Sequence, residues 1–249
     1  MKLKLLILTL IIVLSASCAK KDENVIRFAG SGGYPPFNFM SEDNEVIGFD
    51  VDVAHEIAKR MGKEMVYVTT SWDGIIEGLR AGRYEGILGS MAITEERLKV
   101  VDFSTPYYYS GAQIIAKKDS SITGPDKLNK KHTVGLVTAT TFAQDAEKLG
   151  VKINLYEDDN QTLMELINGR VDAVITDRVV GLNAIKKIKG GSDLTLAGSL
   201  LRTEECAIAL QKDSPLKDEI NKILDDMRKD GTLKSISTKW FDGEDITVK

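Results

Sequence analysis

Cysteine is nearly missing from this chain: 249 residues include two, Cys18 and Cys206, alongside two histidines, two tryptophans and five prolines. So few cysteines build no disulfide framework. His55 and His132 show neither HxxxH nor HxH spacing, so no metal site is expected, nor any cofactor, and His55 belongs on the outer face or boundary of a helix. Basic residues are not in excess, with 33 Lys and Arg against 37 Asp and Glu for a net charge of −4. A mildly acidic chain does not suit a polyanion, which excludes nucleic acid as a partner. Past the first twenty residues no apolar run approaches the length of a transmembrane helix. A G-x-S-x-G elbow and a P-loop are both lacking. The glycines of SGGYPPF lead into no helix, which rules against a dinucleotide fingerprint.

What is present begins with MKLKLLILTLIIVLSASC: two lysines, an apolar run over residues 5–14, then small residues. The run is too short to span a membrane and has the layout of a signal peptide, residues 1–17. Cys18 after Ser-Ala-Ser resembles a lipobox, although Ser15 stands where an aliphatic residue is usual. Lipidation would make Cys18 the first mature residue and residues 18–24 a lipid-anchored tether, and several acyl chains hold a protein firmly at a membrane. The expected location is then the periplasm or the outer face of the cytoplasmic membrane, with simple secretion as the alternative. Cys206, in an apolar strand, is expected to be a small buried hydrophobe.

The mature chain alternates strand and helix. VIRFAG reads as a strand, FDVDVAHEIAKRMG as a helix with Val51, Ala54, Ile57, Ala58 and Met61 at helical spacing and Gly62 as the stop, EMVYVTT as a strand, WDGIIEGLRAGRYEG as a helix and residues 85–88 as a strand. The pattern restarts with HTVGLV, a helix from about Thr140, KINLYED, QTLMELINGR, VDAVITD and a helix near VVGLNAIKKIKG. Such alternation predicts an α/β fold of mainly parallel sheets flanked by helices. The tail, CAIALQ followed by two helices, has no sheet of its own and is expected to cross back to the first unit. Two lobes result, residues 25–110 plus 207–249 and residues 111–206. Crossovers near 110–113 and 203–207 make a two-strand hinge with a ligand cleft between the lobes.

Residues 89–108, GSMAITEERLKVVDFSTPYY, hold one anomaly. Thr94 as N-cap with Glu95 and Glu96 in the first turn is an ordinary helix start. Arg97 is not ordinary there, because a cation in the first turn opposes the helix dipole. Something negative outside the helix is therefore expected beside it.

YPPF (34–37), GFDVDVA (48–54), WDGII (72–76), ITEERLKVVDFSTPYY (93–108), GRVDAVITD (169–177) and DGTLKSISTKWF (230–241) occur in this order. Together they resemble the solute-binding proteins of polar amino-acid ABC transporters, solute-binding protein family 3. The resemblance covers nearly the whole mature chain. It implies a two-lobed periplasmic-binding-protein fold (type II), not an enzyme, that closes on a free L-amino acid as a monomer and delivers it to an ABC permease in the cytoplasmic membrane.

A free amino acid needs a cation for its carboxylate, an anion for its ammonium and a surface for its side chain. Arg97 offers a planar two-pronged donor for the carboxylate, and the nearby helix start is expected to aim N–H groups at the same anion. The family pattern adds the Ala92 N–H, a backbone N–H at Thr140 and Thr141, Asp177 as the ammonium's partner, and Tyr34 and Trp72 around the side chain. Ser90 and Thr94 would flank the ligand, Thr94 alternatively serving only as a helix cap. Asp177 read alone is an N-cap for the following helix, though it also ends a strand, where open α/β sheets place ligands. The loop at residues 30–33 lacks the acid that relatives binding basic amino acids often carry there, which favours a neutral or polar side chain. Two alternatives share the fold: a dehydratase of amino-acid metabolism and a sensor domain. A dehydratase needs a cleft acid free to donate a proton. Glu204 and Glu205 are the candidates left over, and are expected to be solvated hinge charges.

Overall fold

The computed structural model describes residues 23–249; Cys18 and residues 1–17, where a signal peptide is expected, lie outside the described residues. Val25–Gly30 (β1) buries Ile26 and Phe28 on alternate positions. A small antiparallel ribbon follows, of Gly33–Tyr34 (β2), Asn38–Met40 (β3) and Val46–Ile47 (β4). Phe49–Arg60 (α1) buries Val51, Ala54, Ile57 and Ala58 as the helical spacing predicts, and ends at Gly62, where φ is +67°. Glu64–Thr69 (β5), Ile75–Arg80 (α2) and Gly86–Ile87 (β6) continue the alternation, and β5 and β6 both pair parallel to β1. Glu95–Leu98 (α3) and Asp102–Phe103 (β7) complete the first run.

Tyr108–Lys117 (β8) then leads into the second unit: Thr133–Val137 (β9), Phe142–Leu149 (α4), Lys152–Tyr156 (β10), Asp159–Ile167 (α5), Ala173–Asp177 (β11) and Arg178–Lys187 (α6). Leu194–Cys206 (β12) returns to the first unit. There Ala209–Leu210 (β13), Leu216–Lys229 (α7) and Thr232–Trp240 (α8) are added. The sheet orders are β5-β1-β6-β13-β7 and β10-β9-β11-β8-β12. In each, four strands run one way and one opposes them: β13 is antiparallel to β6 and β7, and β8 to β11 and β12. The sheets are thus mixed, because each crossover strand enters from the other lobe against the prevailing direction.

The connection between the lobes is an antiparallel ribbon, with Cys206 opposite Tyr108, Glu204 opposite Ser110 and Thr203 opposite Gly111. Gly111 is required there, since a Cβ would collide with the Arg202 carbonyl. At the ribbon's base Phe37 stacks on Tyr108 with ring centroids 4.9 Å apart, and Phe49 lies 5.1 Å from Phe241. Such ring pairs add about 0.5–1.5 kcal/mol each beyond their burial. Phe37 also stacks on Tyr34 at 5.3 Å, so this aromatic core fixes a residue of the cleft. The C-terminal segment lies along the ribbon, with Tyr109 N–H donating to the Ile246 carbonyl (2.9 Å) and Lys249 bonded to Glu205 (2.6 Å).

Candidate functional site

One hollow between the lobes encloses about 560 Å³ of space free of atoms, the open solvent at its edge included. Tyr34, Trp72, Ser90, Ala92 and Arg97 line it from one side, and Thr140, Thr141 and Asp177 from the other. All eight predicted site residues therefore meet.

Arg97 owes its position to the short helix α3. The Thr94 hydroxyl accepts from the Arg97 N–H at 3.1 Å, capping the helix. The guanidinium donates from Nη1 to the Ala92 carbonyl (2.8 Å), and its Cζ sits 5.7 Å from the centre of the Trp72 ring. No ion pair involving Arg97 occurs among the described residues. Burial lowers its pKa, opposed by the charge of Glu204, yet an arginine stays protonated in any protein. The expectation that the helix start itself faces the ligand is corrected: Thr94, Glu95 and Glu96 do not line the hollow, because Thr94 has turned inward to cap.

Ala92 faces Cys206 in an isolated antiparallel bridge. The bonds run from Ile93 N–H to the Glu205 carbonyl (2.9 Å) and from Ala207 N–H to the Met91 carbonyl (3.0 Å), leaving the Ala92 N–H outside the strand pairing. Ser90 has a left-handed backbone, φ +60°, a conformation uncommon for a side-chain-bearing residue. Two bonds hold it so: its N–H donates to the Tyr107 hydroxyl (3.0 Å) and its own hydroxyl to Asp50 (3.0 Å). With that proton committed to Asp50, Ser90 offers the hollow oxygen lone pairs and suits a donor such as an ammonium. Asp50 also accepts from Tyr107 (2.6 Å) and Asn38 (2.8 Å). Burial nevertheless pushes its carboxyl up to about 7, against those three hydrogen bonds.

In the second lobe the Thr140 hydroxyl donates to the Val137 carbonyl (2.7 Å) and that of Thr141 to Glu204 (2.5 Å). Neither hydroxyl caps α4, whose N-terminus has no side-chain cap, so its first N–H groups are left to meet an anion. Asp177 is buried and accepts from the Ser110 hydroxyl (2.8 Å) and from the Val179 N–H (2.7 Å). It both caps α6 and faces the hollow, so the two readings of this residue are compatible. Burial pushes it up to about 7, and the nearby Glu204 acts the same way.

Glu204 corrects an expectation. It is 7% exposed and lines the hollow rather than being solvated. Arg202 joins it (2.7 Å) to Asp145, which lies 2.9 Å from the same guanidinium. Glu205 is exposed, as expected of a hinge charge.

The sequence profile of bacterial extracellular solute-binding proteins, family 3, matches residues 26–243. The chain belongs to this family. An L-cystine-binding protein of Escherichia coli is 35% identical over 231 residues, 91% of this chain and 86% of that protein. The solved structure of an ancestral arginine-binding protein bound to glutamine is 37% identical, with a TM-score of 0.84, and covers 90% of this chain and 100% of its own. An ancestral amino-acid-binding protein that is a precursor of cyclohexadienyl dehydratase is 32% identical, with a TM-score of 0.82, covering 88% of this chain and 96% of its own.

Three residues of this solute-binding protein escaped the reading of its sequence and a fourth, Glu204, was read as solvated, and each had a signal. Asp50 shares a helical face with the buried Ala54 and Ile57, and Asp159 shares one with Thr162, Leu163 and Leu166. Glu204 lies two residues from Cys206 on β12, hence on the same strand face. Tyr108, within the FSTPYY motif, lines the hollow with its buried hydroxyl unpaired among the described residues. Among these residues no cluster could hold a metal ion and no helix is long and apolar enough to cross a membrane. Cys206 is buried, and His55 is exposed.

Proposed function

We infer that this solute-binding protein captures a free L-amino acid between its lobes and hands it to an ABC permease in the cytoplasmic membrane. One observation carries the reading: a single hollow holds a guanidinium, Arg97, and a buried carboxylate, Asp177, neither of which has an ion-pair partner among the described residues. A zwitterion supplies both partners at once. Its carboxylate would take Arg97, the Ala92 N–H and the N–H groups at Thr140 and Thr141. Its ammonium would take Asp177 and the Ser90 oxygen, while Tyr34 and Trp72 flank the side chain. Relatives that bind L-cystine and glutamine support an amino acid as the class of ligand.

Three buried acids of the cleft each accept from a donor of the chain, Asp177 from Ser110, Glu204 from Thr141 and Arg202, and Asp159 from Thr176, which supports binding without turnover. The expectation of a neutral or polar side chain rests on the acid-free loop at residues 30–33. Acids brought to the hollow by the second lobe remove that premise.

A thermal-shift screen of the ligand-free protein against the common amino acids tests the reading. A ligand at a hundred times its dissociation constant adds about 2.7 kcal/mol, or roughly 5–10 °C for a chain of this size. A flat response to all of them would overturn it. The same reading includes a monomer, lobes at 25–110 plus 207–249 and 111–206, and a lipid anchor at Cys18. Cys18→Ser should leave the protein unprocessed or release it to the soluble fraction, and wild-type fractionation of that variant would remove the anchor.

A further inference from the structure

The hollow contains more carboxylates than a zwitterion's ammonium can use. Among the described residues Arg97 is the one cation of its lining, against Glu157, Asp158, Asp159, Asp177 and Glu204. Glu204 has Arg202 as its counter-charge, and Asp177 is assigned to the ammonium. Glu157 is exposed, and Asp158 is half-buried and caps α5 through the Gln161 N–H (2.8 Å). Asp159 remains. It is 5% exposed, and its only side-chain hydrogen bond among the described residues comes from the Thr176 hydroxyl, with no ion pair reaching it.

An acid in the first turn of a helix is ordinary, because the dipole favours it, but that benefit is available at the surface. Burying the carboxylate beside a neutral hydroxyl is costly unless a cation arrives. Burial and the adjacent Asp158 push Asp159 up to about 7, the mark of a charge not compensated within the chain. The field of Asp177, Asp159 and Glu204 converges on the Tyr34 hydroxyl and raises its pKa well above the usual range, behind the larger effect of burial. Asp158 backs onto Gly33, where a side chain would meet its Cβ at 3.3 Å. The start of α5 thus closes over the acid-free loop of the first lobe.

We propose that Asp159 is a specificity-determining residue that pairs with a second cationic group on the ligand, so that the ligand is an amino acid carrying a guanidinium or ammonium beyond its α-ammonium. This rests on reading the cleft as an amino-acid receptor. The aromatic faces of Tyr34, Trp72 and Phe142, all in the lining, suit the apolar stem of such a side chain and attract its charged end. The counter-charge that the loop at residues 30–33 lacks comes from the opposite lobe, so this recognition is complete only when the lobes are together.

Calorimetric titration of the ligand-free protein with arginine and with citrulline, which has the same shape but a neutral end group, is the direct test, extended to lysine, cystine and glutamine. At least one doubly cationic amino acid should bind about ten-fold or more tighter than the neutral ones, and Asp159→Asn should shrink that preference about ten-fold while moving a neutral ligand's affinity less than about three-fold. The wild-type comparison needs no variant, so a poorly folding substitution does not blunt the test. If neutral amino acids bind as tightly as cationic ones, or Asp159→Asn weakens both alike, the inference falls and the amino-acid reading stands. If no amino acid binds, both fall.

Discussion

The indole N–H of Trp72 donates to the carbonyl oxygen of Ala139 across the mouth of the cleft, at 3.3 Å. Trp72 stands at the start of a helix in the first lobe, and Ala139 between β9 and α4 in the second. The same ring faces the Arg97 guanidinium, so the residue that packs against Arg97 also joins the lobes. Trp72→Phe keeps an aromatic face and loses the bond. A single neutral hydrogen bond contributes about 1 kcal/mol, so affinity should fall about five-fold, mostly through faster release, with ligand-free stability unchanged. Stopped-flow dissociation checks this, and an unchanged release rate would show that the bond does not hold the cleft shut.

Arg97→Ala should weaken ligand binding by roughly thirty-fold to several-thousand-fold, since losing one member of a buried, hydrogen-bonded charge pair costs about 2–5 kcal/mol. Arg97→Lys keeps the charge but not the fork and should recover only part of it. Ligand-free stability should barely change, because among the described residues the guanidinium bonds only the Ala92 carbonyl and faces Trp72. Calorimetry on both variants decides, and binding by Arg97→Ala within about three-fold of wild type would remove the carboxylate clamp.

The ligand-free protein should lose stability as pH rises from about 4 to about 7. Asp50, Asp159 and Asp177 are each pushed up to about 7 by burial, whereas unfolded carboxyls titrate near 4. Between those values the folded state holds protons that the unfolded state has released, so the slope of stability with pH is negative. Asp102 and Asp230, held low by hydrogen bonds and lysine or arginine partners, act oppositely but below that window. Melting at pH 5 should exceed that at pH 8 by a few degrees, and a flat profile would contradict the burial of these charges. A cationic ligand should lower the pKa of Asp159 and Asp177. Titration at pH 7 in buffers of different ionisation enthalpy should therefore show proton release.

Rotation about the ribbon at residues 110–113 and 203–207 should carry the lobes apart in the absence of ligand. Small-angle scattering should then show compaction on adding a saturating amino acid. Truncation after Gly243 removes the contacts of Ile246 with Tyr109 and of Lys249 with Glu205, and should loosen the ligand-free lobes further. A profile that ligand does not move would argue against closure.

Much of the fold and site was legible because it is written in local patterns. Arg97 could be found because a cation in the first turn of a helix is out of place, and Asp177 because it ends an apolar strand. Asp159 was hidden for the opposite reason, since an acid beside a helix start is what a surface helix shows, and only packing makes it buried. Glu204 and Asp50 were legible only to a reader who followed face as well as type, since both share a face with apolar neighbours. The sequence by itself determined the order of elements, the two-lobe division and the residue types that meet in the cleft, because periodicity and end signals act over a few residues. Only the tertiary structure decided which charges are compensated. Arg202 reaches Asp145, 57 residues away, and Glu204 on its own strand, and no cation among the described residues pairs with Asp159. Charge compensation depends on through-space distance between segments that chain order keeps apart.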